Sequence, residues 1–125
     1  YDIKFENEYV YVTLNGKDAG KLIGYRGETL NSMQTILSAI ANKQVTTRAH
    51  VILDIEGYRA KRQKALEELA DKLTRTVINT GKQVTLEPMP AYERKIIHNR
   101  LQDSKRVKTY SIGEEPYRKV VITKK

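Results

Sequence analysis

The chain has 125 residues, enough for one ordinary domain or for two very small ones. Its 23 Lys and Arg residues against 15 Asp and Glu give a formal net charge of +8, which favours a polyanionic partner. It contains no cysteine, so disulfides, thiolate zinc sites, iron–sulfur clusters and a cysteine nucleophile are excluded. No apolar run approaches the roughly 20 residues of a membrane span, so we expect no membrane insertion.

The amino-terminal half is predicted to form two strands, two helices and a third strand. Residues 3–14 alternate between apolar and polar side chains around a polar corner at residues 6–8, which is typical of a hairpin. A one-turn helix capped by its first residue is expected over residues 18–22, and a longer amphipathic helix begins at about Glu28. Alternation returns over residues 49–56 and predicts the third strand. The apolar residues of the longer helix that we expect to pack are Leu30, Met33, Leu37, Ile40 and Ala41.

The carboxy-terminal half is predicted to contain two helices and three strands. The helices are expected over residues 59–80 and 91–102, and the strands over residues 83–87, 107–112 and 117–123. The element order is therefore ββααβ followed by αβαββ, which indicates an α+β fold of two small units joined by the long helix. We place the domain boundary between residues 57 and 58, so that the long helix leads the second domain.

The basic excess is concentrated in the second half. Residues 1–56 hold six Lys and Arg against seven Asp and Glu, whereas residues 57–125 hold 17 against eight. The last quarter, residues 94–125, has ten basic and three acidic side chains. A surface kept basic only for solubility usually intersperses its charges, so this clustering favours nucleic acid as the partner.

A glycine-framed loop, Ile23-Gly24-Tyr25-Arg26-Gly27, lies immediately before the longer helix. Glycine lets a sugar–phosphate backbone approach the main chain, and the following helix start offers N–H groups and a partial positive charge. Arg26 is a candidate phosphate ligand, and Leu22, Ile23 and Leu30 would form an apolar floor for bases. The alternative is a plain tight turn between two helices, which a Gly-x-x-Gly pattern alone leaves open.

Arg94 and His98 lie four residues apart, and therefore on one face of the last predicted helix. There an imidazole can donate to a phosphate while the guanidinium holds a second oxygen. The alternative is that both side chains satisfy main-chain carbonyls of the following strands. We do not expect His98 to be a catalytic base, because the sequence marks no serine, aspartate or metal-ligand partner for it.

Further basic residues surround this pair and could add an electrostatic surface beside Arg94, although each alone could equally be a solvated charge. Tyr110 and Tyr117 are candidates for base stacking, but strand tyrosines pack against cross-strand neighbours at least as often. The candidate nucleic-acid-binding residues are Ile23, Gly24, Tyr25, Arg26, Gly27, Arg94, Lys95, His98, Arg106, Arg118 and Lys119. We expect neither a cofactor nor a metal site, since the two histidines are far apart.

The first motif resembles the KH domain, whose signature is an apolar pair, Gly-x-x-Gly and an apolar residue three positions further on. Ile23, Gly24, Gly27 and Leu30 match this signature. The resemblance implies a groove for about four single-stranded nucleotides, with the loop against their backbone. The middle pair of the loop is often strongly basic in KH domains, whereas here it is Tyr25-Arg26, so we expect modest affinity from this unit alone.

The second half resembles the R-three-H domain, which is named after its Arg-x-x-x-His motif and binds single strands. The resemblance rests on residues 86–89, 92–98 and 117–122. Together with the Ile55-Glu56-Gly57-Tyr58-Arg59 segment, the chain resembles the bacterial Jag family, also called SpoIIIJ-associated or KhpB proteins. That resemblance implies a cytoplasmic RNA-binding protein with a further amino-terminal domain. It also implies a role in envelope growth, division or sporulation, and pairing with a small KH-only protein or self-association.

We therefore predict a non-enzymatic protein that binds single-stranded RNA, with single-stranded DNA as an alternative ligand. A competing hypothesis is a protein-interaction module that acts through its sheet edges or its long helix. An enzyme such as a nuclease is disfavoured by the lack of an acidic cluster for metal ions.

Overall fold

The structure, a computed structural model, describes residues 1–6, 9–43 and 50–125. Asn7 and Glu8 of the predicted hairpin corner, and Ala49 of the predicted third strand, lie outside these ranges. The chain divides into two compact units, Tyr1–Arg62 and Gln63–Lys125, here called unit 1 and unit 2. The domain boundary between residues 57 and 58 stays a prediction.

Unit 1 contains a three-stranded sheet and one longer helix. Its elements are β1 (Asp2–Glu6), β2 (Tyr9–Leu14), α1 (Glu28–Ala41) and β3 (His50–Ile55). In the sheet order β1-β2-β3, β2 runs antiparallel to β1 and parallel to β3. Parallel pairing needs a long crossover, which here contains α1 and the 3₁₀ helices Ala19–Leu22 and Tyr25–Gly27. Asp18 precedes the first of these but makes no side-chain capping hydrogen bond, contrary to expectation.

The core of unit 1 is small. Leu30 of α1 and Leu53 and Ile55 of β3 are fully buried, with Met33 and Ile23 among the residues packed against them. The rest of the apolar stripe of α1 is not buried as expected, because Leu37 is 36% and Ile40 is 65% exposed. The helix is therefore held to the sheet mainly through its first half.

Unit 2 combines two helices with a second three-stranded sheet. The elements are α2 (Tyr58–Thr80, which begins in unit 1), β4 (Val84–Thr85), α3 (Ala91–Leu101), β5 (Val107–Ile112) and β6 (Lys119–Lys124). The sheet order is β4-β6-β5, and all pairs are antiparallel. β4 is shorter than the predicted strand 83–87, and β6 begins two residues later than predicted.

One side of this sheet packs against both helices. Leu66, Ala70 and Val77 of α2 meet Ile97 and Leu101 of α3 in one buried cluster. The sheet contributes Val107, Val120 and Ile122 to the same cluster. Arg100 of α3 holds Asp71 of α2 through two hydrogen bonds of 3.1 and 2.8 Å, rather than leaving Asp71 to the predicted i,i+4 pair with Arg75.

The α+β fold class and the element order are confirmed. Within residues 1–6, 9–43 and 50–125, no helix is long and apolar enough to cross a membrane. The same part of the chain contains no group of three or more His, Cys, Asp or Glu side chains placed to hold a metal ion.

Candidate nucleic-acid interface

The glycine loop of unit 1 has an uncommon backbone conformation. The φ angle is +73° at Gly24, +53° at Arg26 and +78° at Gly27. An arginine in this left-handed region carries a conformational cost of about 1–3 kcal/mol, and such costs cluster at binding sites. Arg26 is therefore held in a conformation that its own preference does not explain.

Both glycines are also needed for packing inside unit 1. A Cβ atom at Gly27 would lie 2.6 Å from Cε1 of Tyr58, and one at Gly24 would collide with the side chain of Thr29. The two glycines thus have a structural reason that requires no ligand. The case for a ligand at this loop depends instead on Tyr25 and Arg26.

Those two side chains form the outer surface of the loop. Tyr25 is 67% exposed, and the Arg26 guanidinium carbon lies 5.0 Å from the centre of its ring. The helix start that follows offers fewer N–H groups than expected, because Glu28 donates to the Tyr25 carbonyl and Leu30 to the Ile23 carbonyl. Leu30 also belongs to the core rather than to an exposed floor.

Arg59 covers part of the open edge of β3, a role that sequence reasoning missed. Its Nε donates to the Leu53 carbonyl (2.7 Å) and its Nη2 to Oε1 of Gln34 (2.6 Å). The same Gln34 oxygen accepts the Leu53 N–H at 2.9 Å. The main-chain groups of this edge residue are thereby satisfied by side chains instead of another strand.

Next to this edge, a cavity of about 660 Å³ separates α1 from the first residues of β3. Its polar lining residues include Gln34, Ser38, Asn42 and His50. The volume falls within the roughly 300–1,000 Å³ range of small-ligand sites. Unit 1 therefore offers a polar recess on the same helix that follows the glycine loop.

Arg94 of unit 2 is buried, with only 7% of its surface exposed. Its Nη2 forms an ion pair of 2.5 Å with Glu115, whose side chain is 55% exposed. Its Nη1 is also buried and has no hydrogen-bond partner within the described residues. A buried guanidinium with an unsatisfied nitrogen is uncommon in folded proteins and calls for an explanation.

His98 lies one turn further along α3 and is fixed by two hydroxyl groups of β5. Its Nδ1 lies 2.6 Å from Oγ1 of Thr109, and its Nε2 lies 2.8 Å from Oγ of Ser111. Burial, followed by the nearby guanidinium groups of Arg94 and Arg118, lowers the pKa of His98 below its usual value. The imidazole is therefore neutral near pH 7, so one hydroxyl accepts its N–H and the other donates to it.

The remaining predicted residues of unit 2 divide between the two faces of the sheet. Arg118, whose Nη1 donates to the Gly113 carbonyl at 2.7 Å, acts on His98 together with Arg94. Lys119 alternates with the buried Val120 and lies on the opposite face. Arg106 precedes Val107 and takes that opposite face too, since Lys125 still pairs with its carbonyl. Lys95 is exposed on α3.

Comparison with known proteins matches both halves of the chain. The sequence profile of the KhpA/KhpB KH domain matches residues 1–54, and that of the R-three-H domain matches residues 64–124. Three similar proteins are each named RNA-binding protein KhpB. They come from Clostridium symbiosum (48% identity over 91% of this chain), Bacillus subtilis (43% over 90%) and Lactiplantibacillus plantarum (40% over 97%). The chain belongs to the KhpB family.

The resemblance to the Jag family, whose members are also called KhpB proteins, is thereby confirmed. The chain spans 51%, 55% and 38% of the length of the three KhpB proteins, in the order given above. Those relatives are named for RNA binding and not for an enzymatic activity. The match therefore covers a KH and an R-three-H domain of a family whose curated relatives are longer.

Several residues of this KhpB-family site were missed by sequence reasoning. Glu115 was assigned only to a turn, and Thr109 and Ser111 only to a strand. The β5 alternation could have placed both hydroxyls on one face, but not beside His98. For Glu115 the sequence holds no signal, because it lies 21 residues from Arg94.

Proposed function

We propose that this chain binds single-stranded RNA, with single-stranded DNA as the alternative ligand, through two sites. One is the glycine loop from Ile23 to Gly27, and the other is formed by Arg94, His98 and Arg118, called here the arginine–histidine cluster. The observation that carries the proposal is the buried Arg94 guanidinium, which keeps an unpartnered nitrogen beside a second arginine and a histidine. The names of the relatives support the same ligand class.

In the arginine–histidine cluster, a phosphate would meet Arg94 by replacing the carboxylate of Glu115. This exchange trades one anion for another, so the buried guanidinium keeps a counter-charge throughout. Phosphate offers more acceptor oxygens than one carboxylate and can also satisfy the nitrogen that Glu115 leaves unpaired. The half-exposed position of Glu115 allows its side chain to leave without unfolding the turn.

His98 contributes through its hydroxyl partners rather than through its own charge. A neutral imidazole has one N–H and one acceptor nitrogen, and both face hydroxyl groups. The hydroxyl that accepts the N–H keeps its own proton to donate outward. A partly buried Ser or Thr hydroxyl next to two arginines is a suitable donor to a phosphate oxygen.

In unit 1, Tyr25 and Arg26 would contact the nucleic-acid backbone and Ile23 would support the loop from below. The partial positive charge at the start of α1 acts in the same direction. Lys95, Arg106 and Lys119 would add long-range attraction that depends on ionic strength. If roughly five to seven phosphates are neutralised, the logarithm of the binding constant should fall with the logarithm of salt concentration with slope about −4 to −5.

The direct test is titration of the purified chain against a labelled, unstructured oligoribonucleotide between about 50 and 200 mM salt. Binding that weakens with the stated slope supports the proposal. Absence of binding at the lowest salt concentration would end it. A parallel titration with the matching DNA oligonucleotide decides between the two ligands.

For the cellular role, we infer post-transcriptional regulation in the cytoplasm, connected with envelope growth, division or sporulation and involving a KH-only partner or self-association. The support is the family membership. Crosslinking the protein to RNA in living cells and sequencing the attached transcripts tests this role. Transcripts without enrichment for envelope, division or sporulation genes would contradict it.

A second candidate function is a protein-interaction module in which RNA contact is incidental. The observation that favours it is the exposed apolar surface of unit 1, where Phe5 is 80%, Ile40 65% and Ile36 59% exposed. Size-exclusion chromatography with and without RNA separates the two candidates. A stable protein complex that forms unchanged without RNA, together with absent RNA binding, would favour the interaction module.

A further inference from the structure

The sheet of unit 2 has a second face that the helices do not use. Val107, Val120 and Ile122 point towards α2 and α3, because they belong to the buried cluster that those helices share. Successive residues of a strand point to opposite faces. The residues that alternate with these three therefore lie on the other side of the sheet, here called the outer face.

The outer face is aromatic, basic and free of acidic side chains along its two long strands. Its residues on β5 and β6 are Lys108, Tyr110, Ile112, Lys119, Val121 and Thr123. Tyr110 is 41% and Ile112 38% exposed, while the central Val121 is buried. Neither β5 nor β6 contains Asp or Glu. An exposed aromatic ring among lysines therefore stands on a rigid, hydrogen-bonded surface.

The register of the strands puts the two lysines on either side of Tyr110. Lys108 precedes it by two residues on β5, which corresponds to about 7 Å along a strand. Val121 is directly opposite Tyr110, so Lys119 is its diagonal neighbour across the pair, at about 7–8 Å. One ring thus has a cation on each of two sides at similar spacing.

We propose that the outer face of unit 2 is an additional contact surface for the single-stranded nucleic acid, on which one base stacks against Tyr110 while Lys108 and Lys119 hold flanking phosphates. This inference rests on the proposed RNA-binding function. It adds a base-stacking surface, separate from the glycine loop and from the arginine–histidine cluster, and it assigns a role to Tyr110 and Lys108.

Charge complementarity favours this occupant over an apolar protein segment. A partner that docks on Ile112 and Tyr110 for hydrophobic reasons would have to bury Lys108 and Lys119 without a carboxylate from either strand. A nucleotide supplies both the flat ring that stacks on tyrosine and the phosphates that pair with the lysines.

The first test separates stacking from charge. Tyr110→Ala and Tyr110→Phe are compared with the wild-type chain for binding to an oligouridylate and to the corresponding abasic ribose–phosphate oligomer. Loss of one stacked base should weaken binding of oligouridylate by about 5- to 150-fold in Tyr110→Ala, and Tyr110→Phe should retain it. The abasic oligomer should bind the wild-type and both variants equally.

The second test concerns the lysines. Lys108→Ala with Lys119→Ala should make the salt-dependence slope less negative by about 1.4, because each single-strand phosphate contact contributes about 0.7. Lys64→Ala with Lys72→Ala removes the same charge from exposed positions of α2 in unit 2 and should leave the slope at its wild-type value.

The outcomes distinguish this inference from the function on which it rests. If the wild-type chain binds no oligonucleotide, the proposed function fails and the inference with it. If the wild-type chain binds but Tyr110→Ala binds oligouridylate with unchanged affinity, the outer face is not a stacking surface. An equal loss for oligouridylate and the abasic oligomer would likewise overturn the stacking role.

Discussion

The two candidate sites present their arginines in opposite ways. Arg26 of unit 1 lies in an exposed loop against a tyrosine ring, in a half of the chain whose net charge is negative. Arg94 of unit 2 is buried and already paired, in the half that carries the whole positive excess. A count of charges along the sequence therefore locates the electrostatic field but does not say which cation is available to a ligand.

The difference predicts different binding contributions. An exposed arginine gains little from a phosphate, because both groups lose hydration and water screens their attraction. A buried arginine has already lost its hydration on folding, so a phosphate that replaces Glu115 meets a stronger field. Unit 2 should therefore supply most of the affinity.

The largest effect is expected from removal of the arginine–histidine cluster. Arg94→Ala with His98→Ala should weaken binding of a labelled oligoribonucleotide by about 10- to 100-fold, since a hydrogen bond to a charged group contributes about 1.5–3 kcal/mol. Fluorescence anisotropy measures the affinity, and circular dichroism checks that the variant is folded. Arg75→Ala, which removes an exposed charge of α2, is the control. Wild-type affinity in the double variant would reverse the comparison between the units.

A smaller effect is expected at the glycine loop. Tyr25→Asp with Arg26→Asp should weaken binding by roughly 3- to 10-fold, because an exposed charge contact contributes only about 0.2–1 kcal/mol. Folding should be retained, since aspartate tolerates the left-handed backbone of position 26 better than most residues. Lys17→Asp with Lys21→Asp removes at least as much charge from unit 1 outside the loop and controls for the field. If both variants lose affinity equally, the loop has no specific contact.

The element order could be predicted because each helix and strand carries its own hydrophobic period. The same local rule placed Arg94 and His98 on one face of α3. It failed on α1, where Leu37 and Ile40 follow the helical period yet remain exposed. A pattern states which face a helix would bury, but the extent of burial depends on how much partner surface the rest of the unit provides.

The partners within the site could not be predicted, because they come from distant parts of the chain. Thr109 and Ser111 reach His98 only after β5 has packed on α3 in one register. Glu115 reaches Arg94 through a turn whose sequence suggests only a turn. Likewise, the separation of Lys119 from Arg118 follows from strand alternation once the start of β6 is known. Long-range register thus decides which of the many basic residues act together.

Glu115 gives a sharper test of how Arg94 is kept available. Glu115→Gln removes the anion that a phosphate must replace, so RNA affinity should rise by about 2- to 5-fold, equivalent to about 0.4–1 kcal/mol. Glu114→Gln removes the same charge from the neighbouring position of the turn and should produce a smaller rise. Anisotropy titrations of both variants make the comparison. Weaker binding by Glu115→Gln would mean that the carboxylate positions Arg94 instead of competing for it.

The same substitution should lower stability. Arg94 would remain buried without a counter-charge in the free protein, which in a fully buried pair costs about 3–5 kcal/mol. Because the Glu115 side chain is 55% exposed, we expect a loss of only about 1 kcal/mol in the free energy of unfolding. Urea denaturation measures this loss, and saturating RNA should reduce it, since phosphate then replaces the missing carboxylate.

The smallest predicted effect concerns pH and the neutral state of His98. Burial and the charges of Arg94 and Arg118 lower the pKa of His98 in the folded chain, whereas in the unfolded chain it titrates near about 6.5. As pH falls below about 6.5, the unfolded state takes up a proton that the folded state does not, so the unfolded state is favoured. The contribution of His98 to the free energy of unfolding therefore becomes more unfavourable from about pH 7 downward, until the folded pKa is also passed.

His98→Gln lacks this titration, so its stability should fall less than that of the wild-type chain between about pH 7.5 and about pH 5.5. Urea denaturation at the two pH values measures the difference, and His50→Gln in unit 1 is the control for a histidine outside the cluster. RNA should act in the opposite direction, because a phosphate beside the imidazole favours its protonated form and offsets the two arginines. A wild-type pH dependence that survives in His98→Gln would show that the folded cluster leaves this histidine as free to protonate as the unfolded chain does, and the buried cation of unit 2 would then lose its distinction from the exposed one of unit 1.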